Sequence, residues 1–371
     1  MASRAVVATG TARAHLELAW RLHRAIAPDA AATACFSPFS VASALGLAAQ
    51  GAAGATHAEL SELLGGDPAG QVRMLAEAAE LDEVATGEPP VLAVSNTLWA
   101  REDIAVKEGF AQQLLREANS RIRDAPFGSD PDAARRLINS DIADTTNGQI
   151  PELIPPGAFD AATVAALVNA LYLKVAWRHR FPERATTDRH FVGCGEVPTM
   201  RLTEHLGYAR RDGWQAVVLP AAGGVEVAVL LPEGELRDAE PALTADGLAA
   251  LLDAASPTRV ELTMPRFRVD VVSPLTQVLR TLGARAMFTR EADFSALSRE
   301  PLVVSAVLHE AVLRVDEDGL EGAAATAMAF KMAAAIRHDD PVVVRVDRPF
   351  LFLVRHRASG ALYFLARVVR P

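Results

Sequence analysis

VDEDGLEGAAATAMAFKMAAAIRHDDP, residues 315–341, follows an acidic turn with an alanine tract that has almost no bulky anchor. Alanine has the highest helix propensity, so a helix is the first reading. Leu320, Met328, Phe330 and Met332 are too few to make a core stripe at a period of 3.6. A membrane span is excluded, because the apolar run is short and Lys331 interrupts it. A long loop inside a compact chain is usually functional or disordered. The stretch alone leaves these readings open, and the rest of the chain must choose.

At 371 residues, half of them hydrophobic, the chain can bury a large core, and length alone predicts two domains. A net charge of −9 provides no basic footprint for nucleic acid. Lysine occurs only at Lys107, Lys174 and Lys331, whereas arginine is abundant. The two cysteines, Cys35 and Cys194, have no metal-like spacing and each reads as a buried or incidental thiol. The N-terminal MASRAVVATGTARAHLELAW lacks a basic segment followed by an unbroken apolar one, so no signal peptide is expected and the chain reads as cytoplasmic.

Helical patterns dominate the first part. Leu18, Leu22 and Ile26 share one helix face. Ser37-Pro38 reads as N-cap plus first helical residue of a helix that stops at Gly51. Thr56 and Glu59 read as a capping box for a short helix ending near Gly65. Asp130-Pro131 opens another, running to about Asn147-Gly148. Strands are expected at 91–100, at the apolar run TVAALVNALYLKVAW (163–177), and at 214–220 and 225–231 as a hairpin. Further strands fall at 259–269, 302–315 and 342–346, and a last hairpin turns at Ser359-Gly360. Helices first and then mainly strands make the class α+β.

Motifs for catalysis are missing from the sequence: it has no P-loop, no dinucleotide fingerprint, no HExxH and no G-x-S-x-G elbow. His309, within the apolar LVVSAVLHEAV, would need a nucleophile and an orienting group to act as a base, and reads instead as a hydrogen-bonded core histidine. An enzyme is not expected.

Several segments together are distinctive. They are FSPFSVASALGLAAQGAAGATHAEL (36–60), INSDIADTTNGQIPELI (138–154), LVNALYLKVAWRHRFPE (167–183), VPTM (197–200), MPRFRVD (264–270) and LGARAMFTREADFSALS (282–298). VLHEAVLRVDEDGLEGAAATA (307–327) and DRPFLFLVRHRASGALYFLARVVRP (347–371) close the series. In this order, from about residue 15 to Pro371, the chain resembles the serpins. The resemblance implies one domain over residues 1–371, with three β-sheets, eight or nine helices and an exposed reactive centre loop, in place of the two domains that length predicts.

It also implies a function. A serpin of the inhibitory kind is a suicide substrate for serine endopeptidases: the protease acylates a bait residue and the loop enters the central sheet as a new strand. The dragged protease then loses the geometry needed for deacylation. The opening stretch becomes hinge plus loop. Its small residues suit entry between strands, and no proline falls within 302–340, so every N–H is free for a ladder.

Carried over position by position, the hinge is Glu317, Gly319, Leu320, Glu321, Gly322, Ala323, Ala324, Ala325 and Thr326. Gly319 is expected to supply φ freedom. With period two, Leu320, Gly322, Ala324 and Thr326 face the core after insertion. Glu317, Arg266 and Trp177 match the breach where the loop first enters. Ser37, Ser40, Asn169 and His309 match the polar shutter beneath the sheet. Family spacing from Glu317 puts the reactive bond at Ala333-Ala334, with Met332 and Lys331 as alternatives.

The implied partner is a serine protease, elastase- or subtilisin-like for an alanine bait, chymotrypsin- or trypsin-like for Met332 or Lys331. No cofactor, metal, nucleic acid or membrane partner is implied. The chain is expected to be a monomer, with loop–sheet polymerisation as its alternative assembly, and family members are commonly extracellular. Leu320 stands where inhibitory members usually carry Thr or Ser, and Gly322 where they usually carry Ala. A non-inhibitory serpin that binds a ligand or partner is therefore the second reading.

Overall fold

The computed structural model describes residues 10–84, 88–114, 120–320 and 340–371. Its helices are α1 (Gly10–Ile26), α2 (Pro38–Gly51), α3 (Gly54–Leu63), α4 (Pro68–Ala79), α5 (Glu108–Leu114), α6 (Pro131–Thr145), α7 (Leu236–Ala239), α8 (Ala245–Asp253) and α9 (Leu275–Leu282). The first eight strands are β1 (Ala34–Phe36), β2 (Val91–Arg101), β3 (Ser120–Ala125), β4 (Ala165–Ala176), β5 (Thr187–Phe191), β6 (Gly195–Arg211), β7 (Trp214–Pro220) and β8 (Val225–Pro232). The remaining seven are β9 (Ser256–Pro265), β10 (Phe267–Pro274), β11 (Val304–Val315), β12 (Gly319–Leu320), β13 (Val342–Arg345), β14 (Phe350–His356) and β15 (Leu362–Val368).

Local chemistry sets several boundaries. Ser37 caps α2 by accepting the Ser40 N–H at 3.0 Å, and Asp130 caps α6 by accepting the Ala133 N–H at 2.8 Å. Proline fills the first helical position in both. The expected capping box at Thr56 and Glu59 does not form. The cap of α3 is Ala53, because both side chains serve distant backbone: Thr56 accepts from the Asp293 N–H, and Glu59 from those of Arg285 and Ala286.

Six strands form one sheet in the order β10-β11-β12-β4-β2-β3. Its two faces follow the period of two along β4. Leu167, Leu171, Leu173 and Val175 join the large core with α2, whereas Ala166, Val168 and Ala170 join Ile138 and Ile142 of α6. That two-sided burial explains why 163–177 reads as almost unbroken apolar sequence.

The other sheet has nine strands, β1-β15-β14-β8-β7-β6-β9-β13, with β5 also on β6. Two of the three expected sheets are joined through β6. Thr199 pairs with both Thr187 and Pro265, and Gly207 with both Val218 and Pro257. One edge of β6 thus carries β5 and then β7, while β9 runs along the other. The strand expected at 259–269 is in fact two strands in different sheets, divided at Arg266. Among the described residues no helix is long and apolar enough to cross a membrane, and no group of three or more His, Cys, Asp or Glu could hold a metal.

Candidate functional site

β11 and β4 run parallel, 140 residues apart in sequence, and pair from Val304–Ala165 to His309–Asn169. Among the described residues their direct pairing ends there. At the top of the sheet the chain reverses after Val315, and β12 comes down between them: Leu320 pairs with Val315 on one side and Val175 on the other, and Gly319 with Ala176. Gly319 and Leu320 of the expected hinge are already a strand.

The reversal is held by convergent hydrogen bonds. Asp316 accepts the N–H groups of Asp318 and Gly319 at 3.0 and 3.2 Å, closing the turn. Trp177 donates its indole N–H to the Asp316 carbonyl at 2.8 Å and its backbone N–H to the Asp318 carbonyl at 2.9 Å. Arg266 Nε donates to Glu317 Oε1 at 2.7 Å, and the Thr186 hydroxyl donates to the same oxygen. Burial would raise the Glu317 carboxyl, but these hydrogen bonds outweigh it and hold the group below the ordinary glutamate value. Glu317 is buried while the Arg266 side chain is 45% exposed, so a buried carboxylate is paired with a guanidinium at the surface. The structure thus brings Trp177, Arg266 and Glu317 together. Thr186 completes the cluster, and nothing in its sequence context singles it out.

Gly319 is needed for a reason other than φ freedom. Its φ is not in the left-handed region, but a Cβ built on it would lie 2.1 Å from the Val175 carbonyl oxygen and 2.8 Å from Ala176 Cα. Only glycine lets this backbone sit against β4. Leu320 also reads differently in place. Its side chain is 1% exposed and part of the main core, so its bulk fills the top of the sheet instead of waiting outside it.

Lower down, His309, Asn169 and Asn96 lie in one row across β11, β4 and β2. All three are buried on the face toward α2. His309 Nε2 accepts the backbone N–H of Ser37 at 2.9 Å, so the cap of α2 is tied to the central sheet. Burial pushes the His309 imidazole down to about 4, which keeps it neutral and able to accept. Asn169 donates to Asn96, a partner whose place in the row depends on strand register that no local pattern reveals. Ser40 Oγ, Asn169 Oδ1 and His309 Nδ1 are buried without a hydrogen-bond partner. Of the four residues matched to the shutter, Ser37 links His309 through its backbone N–H and Ser40 through its hydroxyl, and Asn169 lies opposite His309 in register.

Beside His309 and on the opposite face, Glu310 is buried on β11, diagonal to Asp270 of β10. Burial and then the Asp270 carboxylate push Glu310 up to about 7. A folded value above the unfolded one means the folded chain binds the extra proton between about pH 4.5 and 7, and stability falls as pH rises through that window. Glu310→Gln is expected to stabilise the protein by about 2 kcal/mol at pH 8 and by much less at pH 5. Urea denaturation at the two pH values measures this, and equal effects at both would show that Glu310 does not titrate there.

Glu321, Gly322, Ala323, Ala324, Ala325 and Thr326 of the hinge, and Lys331, Met332, Ala333 and Ala334 at the reactive bond, lie outside the described residues.

The fold is that of uncleaved ovalbumin, matched with a TM-score of 0.85 over 97% of this chain and 100% of that one at 22% identity. Thyroxine-binding globulin in complex with thyroxine matches with a TM-score of 0.83 over 97% of this chain and 99% of the other, at 23% identity. In sequence the chain is 30% identical to the leukocyte elastase inhibitor of Sus scrofa over 354 residues, covering 90% of this chain and 92% of that protein. The model of the family described as Serpin (serine protease inhibitor) matches residues 13–371. This protein belongs to the serpin family.

Proposed function

We propose that this serpin is a single-domain suicide-substrate inhibitor of serine endopeptidases. The carrying observation is the two-residue strand β12, whose register supports insertion of the residues that follow it. Opposite residues on β12 and β11 sum to 635, and on β12 and β4 to 495, from the pairs Leu320–Val315 and Leu320–Val175. If the strand continued downward in this register, Thr326 would fall between His309 and Asn169. Thr326 has the same parity as Leu320, so its hydroxyl would face the core, where Asn169 Oδ1 and His309 Nδ1 have no partner. The same register sets Glu321 between Arg314 and Lys174, an opposite-charge neighbour on each side.

The protease serine attacks the carbonyl of the bait residue, the peptide C–N bond breaks, and an ester to the protease forms while the new N-terminus departs. The freed segment, covalently joined to the protease, then continues β12 down the sheet, replacing the β11–β4 pairs below it. Displacement of the protease removes the oxyanion-hole alignment that deacylation needs. Family spacing from Glu317 puts the bait at Ala333, which suits an elastase- or subtilisin-like pocket; Met332 would suit a chymotrypsin-like and Lys331 a trypsin-like one. The similarity to a leukocyte elastase inhibitor supports the first. In the shutter reading, Ser37, Ser40, Asn169 and His309 hold the lower seam closed until the strand arrives. In the breach reading, Trp177, Arg266 and Glu317 hold the top open.

Gly322, an alanine in inhibitory members, favours a second reading in which the fold serves ligand or partner binding without trapping. Incubation with an elastase-like protease separates the two. An SDS-stable covalent complex is the expected result; cleaved product without complex, across proteases of the three specificities, overturns inhibition.

A further inference from the structure

We propose that the outer face of the four strands β5, β6, β9 and β13 carries a binding pocket for a tetrahedral oxyanion, phosphate or sulfate, held between Arg189 and Arg345 over the hydroxyl of Thr263. A cavity of about 110 Å³ is lined by Arg189, His190, Thr199, Thr263, Arg345 and Asp347. Strand register puts the two arginines on one face. Arg345 is opposite Thr263, Thr263 is opposite Arg201, and Thr199 lies two residues before Arg201. Thr199 is opposite Thr187, two residues before Arg189. Opposed residues, and those two apart, share a face. The arginines therefore stand at the two sides of a threonine floor whose residues are themselves buried, Thr199 at 5% and Thr263 at 4% exposure.

The charge balance of this face identifies the ligand. Its two acids already have cations: Glu261 accepts from Arg201 Nη2 at 2.7 Å, and Asp347 from Arg348 Nη1 at 2.9 Å. Arg345 has no ion-pair partner among the described residues, and Arg189 makes only a long 3.4 Å contact to the Thr187 hydroxyl. In a chain with a net charge of −9, two unpaired guanidinium groups sharing one small cavity are an excess of local positive charge. Guanidinium forks match planar pairs of oxygens on a carboxylate, phosphate or sulfate, and a tetrahedral anion offers a third oxygen to the floor. The Thr199 hydroxyl already donates to the Val197 carbonyl at 3.0 Å, so the Thr263 hydroxyl, which has no side-chain bond among the described residues, is the floor donor. None of these residues belongs to the hinge, the breach or the shutter, and the pocket does not depend on whether the protein traps proteases.

The test titrates the intact protein with inorganic phosphate and with sulfate by calorimetry, against sodium chloride at matched ionic strength. Saturable one-site binding of both oxyanions and none of chloride is expected. Arg189→Ser and Arg345→Ser should each weaken it about tenfold, the loss of one charge-assisted contact. Both side chains are exposed, so their melting temperatures in chloride should match the parent. Thr263→Val should weaken binding less than either arginine change. Methyl phosphate distinguishes the source: binding as tight as phosphate points to a phosphate or sulfate monoester on a larger molecule, and its exclusion to the free ion. Absence of saturable binding, or equal binding by the parent and the Arg189→Ser/Arg345→Ser double variant, overturns the proposal.

Discussion

Cleavage of the loop at 331–334 is expected to raise the melting temperature by on the order of 10–20 °C. Among the described residues, Gly319 and Leu320 are those that lie between β11 and β4. Continued in the same register, residues 321–330 of a freed segment would find a partner on both strands. After subtracting the β11–β4 bonds that must open below His309, the gain is about a dozen ladder bonds, worth roughly 0.5–1.5 kcal/mol each and on the order of 10 kcal/mol together. That is comparable with the stability of a whole domain, so the intact state would be metastable relative to the inserted one. Limited proteolysis followed by thermal denaturation measures it. Cleaved and intact protein melting together would exclude insertion of this segment.

Leu320→Arg should convert the protein from inhibitor to substrate. The side chain at this position is enclosed by the core at the top of the sheet, between Val175 and Val315. An unpaired guanidinium there would cost several kcal/mol, so residues 319–320 would leave the sheet and the inserting strand would lose its start. The loop's tip is untouched, and cleavage should continue. Covalent complex should fall at least about tenfold while cleaved serpin accumulates, a ratio that a change of about 1.4 kcal/mol in the partition already produces. Leu320→Met keeps the volume and should trap like the parent, which separates lost packing from lost insertion. An arginine variant that traps as well as the parent would show that entry does not begin at Leu320. A parent that gives only cleaved product would support the ligand-binding reading instead.

Much of the scaffold is legible in the sequence because its signals are local. Ser37-Pro38 and Asp130-Pro131 start helices where a cap and a fixed φ are both available. The apolar run around Asn169 becomes β4, since burial on two faces leaves no polar alternation. Signals that depend on a distant partner are misread. Thr56 and Glu59 have the spacing of a capping box, yet both bond to backbone more than two hundred residues away. Residues 259–269 look like one strand, and only the sheets on either side of Arg266 divide them. Asn96 sits within an apolar strand pattern, and becomes part of the candidate site only because register sets it opposite Asn169.

The sequence by itself determined the family resemblance, the small and proline-free composition that insertion would require, and the residue types matched to breach and shutter. Tertiary structure alone decided that Gly319 and Leu320 are already seated. It also decided that Gly319 is required for close backbone approach and that His309 bonds to a backbone N–H instead of a side chain. The physical reason is distance along the chain. Val315 and Val175 receive Leu320 from strands 140 residues apart, and His309 reaches Ser37 across 272. Such contacts exist only once the sheet has assembled, and no window of sequence contains both partners.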